Sequence, residues 1–496
     1  MVTDTDIDTD IDTDTDTDID TDYLVIGAGA TAMAFVDTLL TETRATVTMV
    51  DRYDRPGGHW TVAYPFVRLH QPSAMYGVNS RPLGEDRVDR TGWNAGMYEL
   101  AGAAEICDYF DQVMRRTFLP SGRVSYFPMA EYRGSGRFHV TTSGTRYRVT
   151  ARRRIVDTTY QGVTVPAMRP PEFPVADGIR VVPPNELPAV RGPSDRYVVV
   201  GAGKTGIDAC LWLLEQGVDP ADLTWIMPRA PWLIDRATVQ PMPLRRAADI
   251  ATDHAAKHSA IMGAESVRDL FDRLDAAGAL LRISPDERPT AFRCATVSRA
   301  ELEQLRRITD VVRLGRVTRI DPTAIELDAG TLPTGPHVLH VDCTADAVKQ
   351  LPVIPIFQDG LITLQPVRAC QPVFSAALVA HMEATGPDDT VRNELCPVTP
   401  YPSSDVDWLR FALSTNAEQL RWAANPDVDA WLRTSRLHPD LAPPMPDDPA
   451  ERAVVEQQAT ATAKAQNAKL DELLHTRRSL PPPGPHHPTR REAATG

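Results

Sequence analysis

The first candidate site is a glycine-rich turn close to the start of the chain. Residues 23–32 read Tyr-Leu-Val-Ile-Gly-Ala-Gly-Ala-Thr-Ala, and an apolar, helix-patterned run continues to residue 40. This order predicts a buried strand, a G-x-G-x-x-A turn and a helix. In such a turn Gly27 permits the tight bend, Gly29 lets a pyrophosphate approach the backbone, and Ala32 lets helix and strand pack closely. The free N–H groups that begin the helix would then face an anion.

An acidic residue follows this turn at the spacing of a ribose-binding residue. A second strand is expected over residues 45–50, and it ends at Asp51 and Arg52, with Asp51 22 residues after Gly29. An acid at this distance accepts hydrogen bonds from ribose hydroxyls. The turn and the acid together predict a dinucleotide site, whereas the turn alone would be equally consistent with ordinary packing of a helix on a strand.

The same pattern returns 174 residues later, with a strand, a turn and a helix built around Gly201, Gly203, Lys204, Thr205 and Gly206. A P-loop would need a glycine five positions before Gly203, where the chain has Val198, so that alternative is rejected. The next strand, residues 223–227, leads into Arg229 where the first motif has its acid. Arginine in this place suits a 2′-phosphate, which favours NADPH over NADH. Arg229 could also be only a solvated residue at a strand end.

Between the two turns the sequence carries a further set of chemically distinctive residues: Gly57, Gly58, His59, Trp60, Tyr64, Pro65, Arg68 and His70. By themselves they are consistent with a Gly-Gly turn and an edge strand. Combined with Asp51, however, the pattern Gly-Gly-x-Trp followed by Tyr-Pro-x-x-Arg resembles the FAD site of class B flavin monooxygenases. That family includes flavin-containing monooxygenases, N-hydroxylases and Baeyer–Villiger enzymes.

The resemblance implies a cofactor pair and a reaction. It implies that the first motif binds the ADP half of FAD, that residues 57–70 pass the isoalloxazine, and that NADPH on the second motif reduces the flavin. O2 would then give a C4a-(hydro)peroxyflavin that transfers one oxygen atom to a small organic substrate, at nitrogen, sulfur or a ketone. His70 occupies the place of a family Asp or Asn near the flavin, and we expect it to face the flavin as a catalytic residue. A histidine that only supports the loop is the alternative.

The sequence also departs from the family pattern. A Baeyer–Villiger fingerprint should precede the second glycine motif and contains a histidine, but no histidine occurs between Glu172 and Val200. Two other functions therefore stay open. One is a flavin-dependent NAD(P)H oxidoreductase that passes electrons on without inserting oxygen, and the other is a non-catalytic flavoprotein that serves as a binding subunit.

Composition excludes several other classes of protein. The formal charge is −14, but residues 3–22 are ten Thr-Asp or Ile-Asp dipeptides, and without those ten charges the rest of the chain sums to −4. No basic footprint for nucleic acid is present. The six cysteines are scattered, which argues against a zinc site or a disulfide scaffold, and we expect no bound metal. No signal peptide or membrane span is expected, so we predict a cytoplasmic enzyme and leave a homodimer open.

The predicted fold class is α/β, with two Rossmann-like dinucleotide-binding domains and a C-terminal helical segment. The FAD domain is expected to be discontinuous, with the NADPH domain inserted into it. The expected segments are a disordered Asp-rich tail (1–22), the first part of the FAD domain (23–165), the NAD(P)H domain with a helical insert (195–320), the second part of the FAD domain (325–395), a helical C-terminal region (400–478) and a disordered tail (479–496). Residues 166–193 are expected to be a proline-rich linker. By the family resemblance, the strand before Cys343 returns the chain to the FAD domain.

Overall fold

A computed structural model describes residues 16–192, 194–242, 244–345, 349–439 and 445–478. The first eight strands are β1 (Thr17–Ile26), β2 (Val47–Val50), β3 (Gly77–Val78), β4 (Arg81–Pro82), β5 (Val124–Phe127), β6 (Ala130–Gly134), β7 (Arg137–Val140) and β8 (Arg146–Asp157). The others are β9 (Arg180–Val182), β10 (Arg196–Val200), β11 (Leu223–Ile226), β12 (Pro231–Asp235), β13 (Ala291–Val297), β14 (Asp310–Val312), β15 (Val317–Ile320), β16 (Ala324–Leu327), β17 (Gly330–Pro333), β18 (Val338–Asp342), β19 (Phe357–Gln358) and β20 (Leu361–Thr363).

The helices alternate with these strands over most of the chain. They are α1 (Ala30–Glu42), α2 (Ala103–Val113), α3 (Lys204–Glu215), α4 (Ala247–Met262), α5 (Val267–Ala276), α6 (Arg299–Arg306), α7 (Pro372–Thr385), α8 (Asp389–Leu395), α9 (Asp405–Ala423), α10 (Pro426–Thr434) and α11 (Pro449–Arg478). Helices α4 and α5 form the expected helical insert. Within the described ranges, no helix is both long enough and apolar enough to cross a membrane.

Two sheets with parallel strands organise the molecule. In the first, the order is β19-β20-β8-β1-β2-β5, with β6 and β7 attached beside β8. In the second, five strands run parallel in the order β14-β11-β10-β18-β9. Strands buried on both faces read as continuous apolar runs, which is why β1 ends in Tyr-Leu-Val-Ile and β10 in Val-Val-Val. The protein is therefore a mixed α/β structure.

Helix α1 packs between the first sheet and α7, and residues on nearly every side of this helix are buried. Helix α3 packs in a second core with Trp225 and Leu305. A third core lies around Trp232, Phe271 and Leu409, where α9 joins the helical insert. The other end of α9 places Trp422 in the first core, so this C-terminal helix contacts both parts of the chain.

The structure differs from the sequence-based expectations at three places. Strand β1 begins at Thr17, within the segment expected to be a disordered tail, while residues 1–15 lie outside the described residues. The strand forms because β8 beside it supplies positive charge: Arg148 contacts Asp16 at 3.2 Å, and Arg152 contacts Asp22 at 3.0 Å. Repulsion between the aspartates of this strand is offset by these cross-strand pairs. The expected C-terminal tail, residues 479–496, also lies outside the described residues.

The second difference is the place where the chain leaves the second sheet. Strand β18, expected to return the chain to the FAD domain, instead pairs with β10 from Arg196↔Val338 to Val200↔Asp342. The chain re-enters the first sheet only at β19 and β20. An apolar strand fits the middle of either sheet equally well, so its local pattern could not decide between them. The third difference is β9, a strand of the second sheet inside the expected linker.

Candidate functional site

The first glycine turn has the backbone conformation that its residue types predict. Gly27 has a φ of +105°, a conformation that favours glycine, and a Cβ there would lie 2.5 Å from Thr158 Oγ1. Gly29 is the N-cap of α1 and has no side chain to cap the helix, so the N–H groups of its first turn receive no side-chain partner from the cap residue. Ala32 is fully buried against the sheet. This end of α1 therefore has the donors that an anion needs.

A second pair of glycines packs directly on this turn. The Gly57 N–H donates to the Ala28 carbonyl at 2.9 Å, and a Cβ on Gly58 would lie 2.9 Å from the Gly29 Cα. Gly57 and Gly58 both have positive φ, at 135° and 60°. Two backbones come this close only because neither has a side chain. The two glycine motifs, separate in sequence, thus form a single backbone surface, which is the kind of surface that a pyrophosphate can approach.

Asp51 is hydrogen-bonded to the backbone at two places, in the glycine turn and just after β2. Its side chain is 4% exposed, one carboxylate oxygen accepts the Ala28 N–H, and the other accepts the Tyr53 N–H at 2.7 Å. Burial raises the pKa of this carboxyl, and the two N–H donors lower it. Asp51 therefore holds the glycine turn to the end of β2, and this contact uses one acceptor position on each oxygen. Arg52 is exposed, with its guanidinium 5.0 Å from the Tyr53 ring centre.

A further polar atom lies beside Asp51. The hydroxyl of Tyr126, on β5, is buried and has no hydrogen-bond partner among the described residues. Burial, and then the negative charge of Asp51, raises the pKa of this phenol. A buried hydroxyl without a partner is costly, so it marks a place where a ligand's polar group would be stabilising. A tyrosine at a strand end is too common to have been recognised from sequence.

The segment after the glycine pair begins with a short 3-10 helix, Gly58–Val62. The Trp60 indole N–H donates to the Tyr76 hydroxyl at 2.8 Å, which fixes the indole in place. Burial lowers the pKa of His59 to about 4, so this ring is neutral near pH 7. Arg68 is exposed, and its backbone bridges to Gly102.

The three glycines of the second turn differ in whether the fold requires them. Gly201 has a φ of +121°, and a Cβ on Gly206 would overlap the Gly201 carbonyl oxygen at 2.1 Å. Gly203 has ordinary extended backbone, with a φ of −81°, and a Cβ on it would meet none of the described residues within 4 Å. Gly201 and Gly206 are therefore required by the fold. Gly203 is not, although it stands at the start of α3, where a pyrophosphate would approach.

Charged residues follow on α3. Lys204 pairs with Asp208 one helical turn later, and the Tyr64 hydroxyl donates to the same carboxylate at 2.8 Å. Burial raises the pKa of Asp208, and the positive charge of Lys204 lowers it. Thr205, between them in sequence, is half-buried. Arg229 is exposed beyond the end of β11, so its guanidinium is accessible to a ligand.

Aromatic contacts join the segment that follows the first glycine turn to helix α3, which follows the second. Phe66 stacks on Trp212 of α3 with ring centres 5.2 Å apart, and it lies 4.8 Å from the Tyr64 ring. Together with the bond from Tyr64 to Asp208, these contacts hold residues 64–66 against α3. The segment that begins at the first turn therefore ends beside the second.

His70 is held on two sides. Its Nδ1 accepts the Thr296 N–H at 3.2 Å, and its carbonyl accepts Arg236 Nε at 3.1 Å. Burial first, and then the positive charges of Lys204 and Arg236, lower its pKa well below the ordinary value. The ring is therefore neutral. Because Nδ1 is an acceptor, the ring proton lies on Nε2, which makes Nε2 a hydrogen-bond donor.

Arg236 itself was not selected from the sequence. It is 2% exposed, pairs with Glu301 at 2.8 Å, and also donates to Asn94 at 3.1 Å. A buried guanidinium needs this many partners because an unpaired charge in the interior is strongly destabilising. The Arg236 network fixes the backbone of His70, and only the fold brings its members together.

We predict that acid will destabilise the protein partly through His70. Between the lowered pKa of the folded state and about 6.5 in the unfolded state, only the unfolded chain binds a proton, so the free energy of unfolding falls as pH decreases. In His70→Asn the side-chain oxygen can still accept the Thr296 N–H. The variant should therefore lose less stability between pH 7 and pH 5, with a slope smaller by up to about 1.4 kcal/mol per pH unit.

Urea denaturation at several pH values measures this effect. The two proteins must be compared because His59 contributes in the same direction, and Glu418, whose pKa burial raises to about 7, contributes in the opposite direction. Parallel stability curves for the wild type and His70→Asn would show that His70 is protonated in the folded protein.

The structure contains a disulfide, which the scattered cysteines did not suggest. Cys294 on β13 is bonded to Cys370 in the loop before α7, 76 positions away. Both cysteines lie close to His70 in the fold: Thr296 donates to the His70 ring, and the amides of Gln371 and Gln71 bond to each other at 2.9 and 3.2 Å. Spacing in sequence could not reveal this pair, because the two segments meet only when the sheets assemble.

No known family profile matches the chain. It is similar to uncharacterized proteins of Mycobacterium tuberculosis and Mycobacterium bovis, each 56% identical over 453 residues, which is 90% of this chain and 84% of the relative. Three solved structures are similar at 15% sequence identity each. A flavin-containing monooxygenase from Stenotrophomonas maltophilia covers 71% of this chain and 86% of its own, with a TM-score of 0.39. Cyclohexanone monooxygenase from Rhodococcus sp. Phi1 covers 66% of this chain and 71% of its own (TM-score 0.39), and an ornithine N-hydroxylase from Kutzneria sp. 744 covers 70% and 92% (TM-score 0.42). At 56% identity over most of both chains, the protein belongs to the same family as the two mycobacterial proteins.

Proposed function

We propose that the protein is a single-component monooxygenase that uses FAD and NADPH to insert one oxygen atom of O2 into a small organic substrate. The observation that carries this proposal is the contact between the segment that follows the first glycine turn and the helix that follows the second. Residues 58–70 begin at the first turn, and Tyr64 and Phe66 contact Asp208 and Trp212 just beyond the second. Two dinucleotides on these turns would be brought towards each other, as hydride transfer requires. The resemblance of the motifs to flavin monooxygenases adds the identity of the cofactors.

The residues present at the first turn fit the ADP part of FAD. Gly27, Gly29 and Gly58 form the exposed backbone surface, and the start of α1 offers N–H groups to phosphate. The unpartnered Tyr126 hydroxyl would supply a hydrogen bond in the same region. Asp51 supports the turn and keeps one free acceptor position on each oxygen for a ribose hydroxyl.

The second turn fits NADPH. A Cβ on Gly203 would meet no described residue within 4 Å, which leaves the backbone approachable, and α3 begins there. Arg229 is exposed and forms no ion pair with the residues that the structure describes. Its guanidinium would bind the 2′-phosphate. Lys204 is paired with Asp208, so it adds positive charge near the turn and orients the carboxylate that also holds Tyr64.

When both cofactors are bound, NADPH supplies hydride and the flavin supplies the oxygen-activating chemistry. The protein's own residues position and protect these groups. His70, neutral and fixed through Nδ1, would donate a hydrogen bond from Nε2 without changing charge near pH 7. The Arg236 network keeps the His70 backbone in place. Trp60 and Tyr76, joined by their hydrogen bond, would help to exclude water from the same region.

The absorbance spectrum of the purified protein tests this proposal. We expect yellow protein that NADPH bleaches under nitrogen, and that NADH bleaches at a much lower rate at equal concentration. Mixing the reduced protein with O2 should then give a transient band that differs from both the oxidised and the reduced spectra. Direct return to the oxidised spectrum would favour an electron-transferring oxidoreductase, and colourless protein would contradict the proposal.

A further inference from the structure

The Cys294–Cys370 disulfide crosses between separate parts of the structure. Cys294 lies on β13, against the core around Trp232 and Phe271. Cys370 follows Val367, which belongs to the core of the first sheet, and Ala369, which is buried. The bond is therefore a covalent tie between the helical insert region and the loop that leads into α7.

The disulfide lies next to the segment expected to pass the flavin. Two positions after Cys294, Thr296 donates its N–H to the His70 ring at 3.2 Å. One position after Cys370, Gln371 exchanges amide hydrogen bonds with Gln71. The residues that hold His70 and Gln71 are thus the sequence neighbours of the two bonded sulfurs. A change in the bond would be transmitted to both.

The other four cysteines differ from this pair. Cys107, Cys210, Cys343 and Cys396 are free thiols and are all buried. Burial raises the pKa of each of these thiols, which suppresses the thiolate form that reacts. Cys294 and Cys370, in contrast, are only half-buried.

The backbone at both cysteines is also unusual. Cys294 has a φ of 54° and Cys370 a φ of 66°, and of all non-glycine residues described only five have positive φ. A non-glycine residue in this region is held there at a cost, and such residues concentrate at functional sites. Both members of one bonded pair show it, Cys294 within β13 and Cys370 in the loop before α7.

A stable structural disulfide would not be expected in the compartment that the sequence predicts. In the cytosol, thiol reductants keep cysteines reduced, and the disulfides found there are mostly transient, catalytic or redox-sensing. A half-buried bond between strained cysteines, next to the segment expected to pass a redox cofactor, matches this second class.

We propose that Cys294 and Cys370 are a redox-active pair that accepts two electrons from the reduced flavin, a role that rests on the proposed function. The S–S bond breaks, each sulfur becomes a thiol, and the flavin is reoxidised: one anionic reduced flavin, one disulfide and one proton give one oxidised flavin and two thiols. NADPH is the source of the electron pair. The pair gives the enzyme a route for electrons other than O2, and its opening removes the covalent tie between β13 and the loop before α7.

Thiol counting tests the pair with a readout that does not depend on oxygenation. The full-length protein is incubated under nitrogen with and without NADPH, quenched in denaturant with an alkylating reagent, and analysed by mass spectrometry. We expect alkylation at the four free cysteines before NADPH, and at Cys294 and Cys370 in addition after it. Titration under nitrogen should show uptake of about four electrons per flavin, instead of about two.

Two variants complete the experiment. Cys294→Ser/Cys370→Ser should take up about two electrons per flavin, whereas Cys396→Ser, which changes a buried thiol in the first core, should behave as the wild type. Bleaching of the flavin by NADPH without any new alkylation at Cys294 and Cys370 would overturn the role of the pair and leave the proposed function intact. The role would be overturned equally if both cysteines were alkylated before NADPH. Colourless protein would overturn the proposed function, and the role of the pair with it.

Discussion

Gly29→Glu should yield folded protein that contains no flavin. Gly29 has ordinary backbone, with a φ of −74°, and the nearest atom to an added Cβ is the Gly58 Cα at 3.5 Å, an ordinary contact. The fold therefore tolerates a side chain at this position. A carboxylate here, however, would lie at the start of α1, where the diphosphate of FAD should bind. Two like charges about 4 Å apart near a protein surface repel by about 4 kcal/mol, or about a thousandfold in affinity.

Flavin absorbance per mole of protein, measured after desalting, checks this result, and circular dichroism checks that the variant is folded. Gly335→Glu is a matched control because it adds the same charge at another glycine whose Cβ would meet no described residue within 4 Å. Gly335→Glu should retain its flavin. If Gly29→Glu retained it as well, the first glycine turn would not be the site of the pyrophosphate.

Gly206→Ala should destabilise the protein, whereas Gly203→Ala, three residues earlier, should not. The Gly206 methyl would overlap the Gly201 carbonyl oxygen, and this oxygen already accepts the Trp225 indole N–H at 2.8 Å. The carbonyl is part of the backbone and cannot move aside cheaply, so we expect a loss of about 1–3 kcal/mol in the free energy of unfolding. The Gly203 methyl would meet no described residue, and stability should stay within about 0.5 kcal/mol of the wild type.

For the KM of NADPH we expect the opposite order: Gly203→Ala should have the larger effect. A methyl at Gly203 lies where the pyrophosphate must approach the backbone, so the KM for NADPH should rise about tenfold or more, equivalent to about 1.4 kcal/mol. Urea denaturation and steady-state NADPH oxidation measure the two quantities. Equal stability of Gly206→Ala and the wild type would show that α3 and β10 can separate without cost. An unchanged KM in Gly203→Ala would remove the second turn as the nucleotide site.

The local elements around both glycine motifs follow from the sequence alone. The strand, turn and helix after residue 22 were predicted, and the structure confirms them as the end of β1, the Gly27 turn and α1. The second motif is confirmed in the same way by β10 and α3. Such elements are predictable because their determinants lie within a few residues: a continuous apolar run, glycines that permit positive φ, and a helix period.

The roles of single side chains are predicted less well. Asp51 was selected for ribose, yet its oxygens also hold the Ala28 and Tyr53 amides. Tyr126 and Arg236 were not selected at all. Hydrogen-bond partners of a side chain come from other elements, so the residue type states only what the side chain can bind.

By itself, the sequence determined the two glycine turns, the α/β class and the list of groups available for chemistry. Only the tertiary structure decided that β18 belongs to the second sheet, that residues 17–22 continue β1, and that Cys294 meets Cys370 beside His70. The physical reason is the range of the interactions. Helix period and turn conformation act between near neighbours, whereas the pairing of strands, charges and sulfurs joins segments tens to hundreds of residues apart and depends on the whole chain packing together.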